Sequence, residues 1–258
     1  MKKILLYTFI AAASVFTTSC NAYLDCEPIT SVSSNVYLYS ETDLAAYAAK
    51  FYNDSEDEKD DEYGNILPSH GSATYNLGLF QKDNGTDDQT ADSPSKLFVK
   101  GQYHVGDDDL WHKYFRKIRA ANYFIQTVTE RYTNREISGN DANIKHYIGE
   151  VYFFRAYIYF QLAKRHGGVI LYDDLPTSND KARSTAAETW QFIADDLDFA
   201  STNLPKEWDA ANKGRVTKGA AYALKSRAML YAERWQDAYD AADEVEKLQL
   251  YDLVDNYA

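Results

Sequence analysis

From residue 107 onward, apolar and polar positions recur with a helical period, and most of what the chain predicts rests on that recurrence. Across Leu110 to Thr133, the positions Trp111, Tyr114, Phe115, Ile118, Ala121, Asn122 and Ile125 return every three or four residues, which places them on one helix face. Asp107, Asp108 and Asp109 stand just before it and offer N-terminal capping charge. Asp141 opens a long helix predicted to run to His166, where Gly167-Gly168 supplies the stop. Its centre, Val151 to Leu162, is apolar almost all round, the pattern of a helix buried on every side, and Arg155 sits inside it. Further helices are predicted over Ala186 to Leu204, ended by Pro205, over Thr217 to Glu233, and over Gln236 to Leu250. A shorter one from Thr42 to about Asn53 carries Leu44, Ala45, Ala48 and Tyr52 along one side, with Thr42 as its cap.

The last two helices carry Ala220, Ala221, Ala228, Ala232, Ala238, Ala241 and Ala242. Small residues at such spacings let paired helices approach closely, as in tetratricopeptide units of about 34 residues. Thr217 to Leu250 has the length of one unit, and the pair within 110–166 forms a longer, looser one. A plain helical bundle is the competing arrangement. The expected class is all-α, with tetratricopeptide-like repeats and a long irregular loop region.

That loop region is where the helical period fails. Asp54 to Glu62 is a charge run without apolar periodicity, and Tyr63 to Gly106 is rich in Gly, Asn, Asp, Ser and Tyr. An irregular stretch of this length inside a compact domain is usually functional. The N-terminus differs again. Lys2-Lys3, an apolar run from Ile4 to Phe16, and the small residues Thr17, Thr18 and Ser19 describe a secretory signal over 1–19. The run is too short for a membrane span, which needs roughly 20 apolar residues. Cys20 directly after it looks like the lipid-bearing cysteine of a bacterial lipobox, although Thr17 stands where leucine is commoner. An ordinary signal followed by an incidental cysteine is the alternative. Residues 20–40 are polar and Ser-rich and read as a tether, leaving 41–258 as the helical domain with its insertion at 54–106.

Charge narrows the partners. The chain carries 27 basic and 39 acidic residues, a net −12, which becomes −14 once residues 1–19 and their two lysines are removed. Such a surface repels phosphates and anionic lipid, so nucleic acid is excluded and membrane attachment falls to acyl chains. With Cys20 acylated, Cys26 is the remaining thiol and no internal disulfide forms. The histidines His70, His104, His112, His146 and His166 show no metal-ligand spacing, and neither a nucleophile elbow nor a phosphate-binding loop occurs. Asp54–Glu62 and Asp83–Asp88 lack the spaced calcium-loop pattern and read as solvated loops. No metal, cofactor or catalytic group is expected. A hydrolase using two of the many carboxylates is the reading that sequence alone leaves standing against this.

Several local patterns then add up. Cys20 is followed by Leu24-Asp25 and Pro28; Trp111, Tyr114, Ile118 and Asn122 follow one another at helical intervals of three and four residues; Gly149-Glu150 precedes Phe154-Arg155-Ala156. Leu162 leads to Gly167-Gly168-Val169, Arg183-Ser184-Thr185 to Glu188, and Ile193 to Asp196-Leu197 and Leu204-Pro205. Last come Gly214-Arg215-Val216-Thr217-Lys218-Gly219-Ala220-Ala221, Leu224, Leu230-Tyr231, and Trp235 with Ala238. In their number, order and spacing these resemble the SusD/RagB family of outer-membrane glycan-binding lipoproteins. The resemblance implies a lipid-anchored protein, exposed at the cell surface, that captures oligosaccharide for a TonB-dependent transporter. It also implies that this sequence corresponds to the N-terminal part of the family's usual length, roughly twice this one. A truncated helical adaptor that docks the transporter without binding glycan is the second reading.

Candidate residues follow. Sugars present a weakly apolar C–H face and a rim of hydroxyls, so they need aromatic platforms with amide and carboxylate partners. Tyr75, Phe80, Asn84, Asp87, Asp88 and Tyr103 supply these on the irregular stretch, against the alternative that Asn84-Gly85 is only a turn and the acids are solvated. Trp111 and Asn122, three helical turns apart on one face, are expected to be structural. Arg155 needs a buried partner, for which Glu150, Asn122 or a carbonyl are candidates. Thr185 with Glu188 forms a predicted capping box, and Thr217 a predicted cap.

Overall fold

A computed structural model describes residues 37–52, 109–175 and 180–252. Among the described residues, six α-helices carry the fold: α1 (Glu41–Ala49), α2 (Asp109–Thr133), α3 (Asp141–His166), α4 (Ala186–Asn203), α5 (Lys218–Tyr231) and α6 (Trp235–Lys247), with a 3-10 turn at Ala210–Asn212. Among the described residues there is no strand, only an isolated bridge between Ser40 and Ser138. From α2 onward each helix packs on the next in antiparallel succession, and α1 lies along α3. The all-α, tetratricopeptide-like expectation holds.

The register of the α2–α3 hairpin can be read from three contacts. The Trp111 ring meets His166 edge-on at 5.2 Å, the Asn122 side-chain oxygen accepts from Arg155 at 2.8 Å, and the Tyr132 hydroxyl donates to Asp141. Across the α3–α4 pair, Arg155 faces Asp196, Tyr159 faces Phe192 with ring centroids 5.0 Å apart, and Tyr152 stacks on Phe199 at 4.0 Å. α3 therefore has neighbours on most of its circumference, as its all-round apolar centre predicts, and Val151, Phe154, Ala156, Ile158 and Tyr159 are wholly inaccessible. Full burial of a large apolar side chain contributes about 1.5–3 kcal/mol each, so this helix is the main source of cohesion.

The helix ends are set by local chemistry. The Thr185 hydroxyl accepts from the Glu188 amide and the Glu188 carboxylate accepts from the Thr185 amide, the reciprocal box expected there. Thr217 caps α5 through the Ala220 amide. Asn140 caps α3 by accepting from Ala142 and Asn143, and Lys164, Arg165 and His166 oppose the helix dipole at its other end. Gly167 closes α3 at φ +68°, and Gly168 lies so close to the start of α4 that a Cβ there would fall 2.1 Å from the Ser184 carbonyl oxygen.

Two expectations shift. Thr42 does not cap α1: Ser40 does, accepting from the Asp43 amide at 3.2 Å while the Asp43 carboxylate accepts from the Ser40 amide at 3.1 Å. α1 also stops at Ala49 rather than near Asn53, because the amides of Lys50, Phe51 and Tyr52 turn to carbonyls three residues back. In the α5–α6 pair, Ala221, Ala228, Ala238 and Ala241 are buried as the close-packing argument requires, but Ala242 faces solvent.

Candidate functional site

Cys20 and the six residues expected to touch ligand, Tyr75, Phe80, Asn84, Asp87, Asp88 and Tyr103, lie outside the described residues. The frame that holds the chain immediately before and after residues 53–108 is described. It consists of two anchors on α3.

The first anchor is Tyr52, the last described residue before that stretch. Its ring packs edge-on against Phe154 at 4.7 Å, and its hydroxyl donates to Glu150 and accepts from the Val216 amide at 2.7 Å. Glu150 is fully buried, and its second oxygen accepts from the Arg215 guanidinium at 2.7 Å. The other arm of Arg215 donates to the Ala45 carbonyl at 3.1 Å, while its head lies over the Tyr147 and Trp208 rings. Trp208 in turn donates to the Val216 carbonyl at 2.7 Å. One carboxylate thus joins α1, α3 and the segment before α5. Burial pushes the Glu150 carboxyl up to about 7, against the lowering pull of Tyr52 and Arg215, and burial beside that carboxylate holds the Tyr52 phenol well above its ordinary value.

The second anchor is at the start of α2. Trp111 packs on Phe115 at 4.8 Å and on His166, and the Arg183 guanidinium stands 5.8 Å from its ring centroid. Arg183 also donates to the carbonyls of His166 and Gly168, taking up the open acceptors at the end of α3. Glu150 and His166 are sixteen residues apart on α3, so the two anchors are separated by about 24 Å along it.

Between the anchors lies a buried polar cluster. The Arg155 Nε donates to one Asp196 oxygen at 2.8 Å and its Nη2 to the other at 2.6 Å, while Nη1 donates to Asn122 at 2.8 Å. Asn122 passes the connection on, donating to the carbonyls of Tyr172 at 2.8 Å and Asp174 at 3.0 Å. The Tyr159 hydroxyl accepts from the Tyr172 amide at 2.8 Å, so the segment after α3 is fastened from within the core. Asn122 thus spends its side chain on this cluster, and Trp111 packs within the second anchor.

Of the candidate partners for Arg155, Asn122 is one, but its charge is met by Asp196, and Glu150 is not a partner. The reason lies in helix geometry: residues five apart on one helix point to different sides, so Glu150 and Arg155 face different neighbours. Asp196, Arg215 and Tyr52 each stand within patterns quoted above without this role. The signal for Asp196 is its register: of the acids at 195, 196 and 198, it alone shares a helix face with Ile193, Leu197 and Ala200, all of them fully buried. Among the described residues no group of three histidine, cysteine or acidic side chains is placed to hold a metal. The carboxylates of Glu150 and Asp196 are committed to guanidinium groups, so their work is positional.

Comparison with known proteins places this frame. Residues 22–230 match the SusD-like family described as starch-binding and associating with the outer membrane, and the chain belongs to that family. It is similar to a SusD-like protein of Bacteroides ovatus, 29% identical over 146 residues that make up 54% of this chain and 26% of the relative. It is also similar to the SusD-like protein P38 of Formosa agariphila, 23% identical over 257 residues, 96% of this chain and 46% of that one. A crystal structure of a SusD-like protein from Bacteroides fragilis shares its fold with a TM-score of 0.70 at 30% identity, covering 89% of this chain and 42% of the other. The chain thus spans less than half the length of these relatives.

Proposed function

We propose that this chain belongs to a surface-displayed lipoprotein that captures oligosaccharides and passes them to a TonB-dependent outer-membrane transporter. The match of residues 22–230 to a starch-binding, outer-membrane family carries the reading. Capture needs no bond chemistry: aromatic faces stack on the sugar ring, and amides and carboxylates meet its hydroxyls. Tyr75, Phe80 and Tyr103 are the proposed platforms, and Asn84, Asp87 and Asp88 the hydrogen-bonding partners. The two α3 anchors fix where their stretch leaves and rejoins the helical stack, which lowers the ordering cost of binding. Acylated Cys20 holds the protein to the membrane through its lipid chains.

The test is affinity for a glycan panel, followed by Tyr75→Ala, Asn84→Ala and Asp87→Ala on the panel's best ligand. Loss of affinity in these variants with unchanged helicity supports the reading. The competing reading is a helical adaptor that docks the transporter through its antiparallel helix stack without holding glycan. Recovery of a transporter in a pull-down with no glycan affinity would select it. Labelled palmitate incorporated by the chain and lost in Cys20→Ala tests the anchor.

A further inference from the structure

The chain enters the helical stack through a short, tightly held segment. Leu38 is fully buried in the left-handed region at φ +72°, a conformation that a large side chain adopts only where its surroundings enforce it. Residues 39–41 then run parallel to the α2–α3 turn, through the bridge of Ser40 with Ser138. The Ser138 amide donates to the Tyr39 carbonyl and the Glu41 amide to the Ser138 carbonyl, both at 2.8 Å. Side chains tighten the junction. The Glu41 carboxylate accepts from the Asn140 amide at 2.8 Å and from the Asn143 side chain at 2.7 Å. The Arg131 guanidinium stands 3.8 Å from the Tyr39 ring centroid. Gly139 makes the approach possible, because a Cβ there would fall 2.5 Å from the Glu41 Cβ.

We propose that residues 38–41 are a mechanical strap, which takes a pull arriving along residues 20–37 and passes it to the α2–α3 turn in shear. The source of that pull rests on the anchored reading above; the geometry does not.

Direction is the first argument. The strap is drawn toward its own N-terminus, whereas residues 138–143 are held from their C-terminal side by α3. Parallel segments drawn in opposite senses slide along each other, so the bonds across them share the pull and must break together. The second argument is what the strap shields. α1 has nine residues, fewer than the roughly 12–15 that a helix needs to hold alone. Leu44, Tyr47 and Ala48 bury it against the stack, and the Tyr47 hydroxyl donates to the Ala120 carbonyl at 2.9 Å. A pull delivered to its first residue would peel it from α3 turn by turn, and the Tyr52 anchor on Glu150 after it. With the strap in front, the α2–α3 turn receives the pull and α1 does not. Capping does not account for these contacts, since Ser40 and Asp43 already form the capping box of α1 between themselves.

The experiment is single-molecule force spectroscopy of the full chain at one loading rate, since forced unfolding is governed by the unfolding rate. One handle is the Cys20 thiol in a Cys26→Ser background, and the other is a C-terminal tag. Wild type should release residues 38–52 only in its main rupture. In Tyr39→Ala/Glu41→Ala these residues should come away earlier, at roughly half the force, because bonds that share a pull resist in proportion to their number. The early event should free at least about 50 Å of extended chain. Glu41→Gln, which keeps one acceptor, should fall between the two. The control moves the first handle to the exposed Asn134, as Asn134→Cys in a Cys20→Ser/Cys26→Ser background. The strap then lies outside the pulled path, and the double variant should match wild type. An equal drop with both handle placements would overturn the strap and leave Tyr39 and Glu41 as plain contributors to stability. No drop with the Cys20 handle, or an early rupture of that length in wild type, would overturn it as well. The anchored reading fails separately: a chain that takes up no palmitate would sink it while the force result stood.

Discussion

Glu150 gives the sharpest test of the frame. It is a wholly inaccessible carboxyl whose folded-state value is raised by burial from 4.5 to about 7. A group with a raised folded pKa binds its proton more tightly in the native than in the unfolded chain. Stability then falls as pH rises, starting near the unfolded value and levelling off above the folded one. The shift from 4.5 to about 7, at 1.36 kcal/mol per unit, sets the largest effect at about 3 kcal/mol. Against a total stability of order 5–15 kcal/mol for a domain, that is a visible fraction. Glu150→Gln keeps the shape and one acceptor, enough for the Arg215 guanidinium, gives up the hydrogen bond accepted from Tyr52, and removes the titration. The lost bond lowers stability equally at every pH and leaves the slope readable. Urea denaturation of both proteins at matched ionic strength, from about pH 4.5 to about pH 8, should show wild type losing stability relative to the variant by up to about 3 kcal/mol. Parallel curves, or wild type gaining on the variant as pH rises, would refute the assignment of Glu150 as a buried, proton-binding clip.

Three further outcomes follow from the core. Asp196→Ala leaves the Arg155 guanidinium buried with only Asn122 to meet it, and should cost about 3–5 kcal/mol in urea denaturation, against a smaller loss for Asp196→Asn; equal losses would show that charge is not the issue. Gly168→Ala drives a methyl group to within 2.1 Å of the Ser184 carbonyl, so the melting temperature should drop sharply while Gly167→Ala, with open space around its Cβ, suffers only its left-handed backbone strain. Thr185→Ala breaks the capping box of α4 and should cost about 1 kcal/mol, measured the same way.

Periodicity carried most of the fold. α3 begins at Asp141 and ends at His166 where capping and glycine chemistry place its ends, and its burial on most sides was visible in a run with no polar face. What periodicity could not supply was partner choice. Arg155 visibly needed a partner, but the pairing with Asp196 is set by the register between α3 and α4, a property of packing that neither helix encodes alone. The α1 boundary failed for a related reason: Ser40 and Thr42 are both capping residues, and the choice between them depends on Asp43 reaching back to the Ser40 amide. The Glu150 clip was hidden because its members, Tyr52, Glu150 and Arg215, are spread over 163 positions of chain.

Buried ion pairs are weak sources of net stability, since apolar residues of similar shape often do as well or better. Their presence at two points on α3 is therefore better explained by position than by energy. Arg155 with Asp196 and Asn122 ties α2, α3, α4 and the backbone at 172–174, while Arg215 with Glu150 and Tyr52 ties α1, α3 and the segment before α5. An apolar contact tolerates sliding; a bidentate guanidinium–carboxylate pair does not, because its two hydrogen bonds fix direction as well as distance. Arg155 meets Asp196 in this way, and Arg215 fixes its direction by dividing its arms between Glu150 and the Ala45 carbonyl, so each guanidinium removes a sliding freedom between elements of the stack. For a protein proposed to hold flexible sugars on residues 75–103, the consequence is that the described helices stay in register where that stretch leaves and rejoins them.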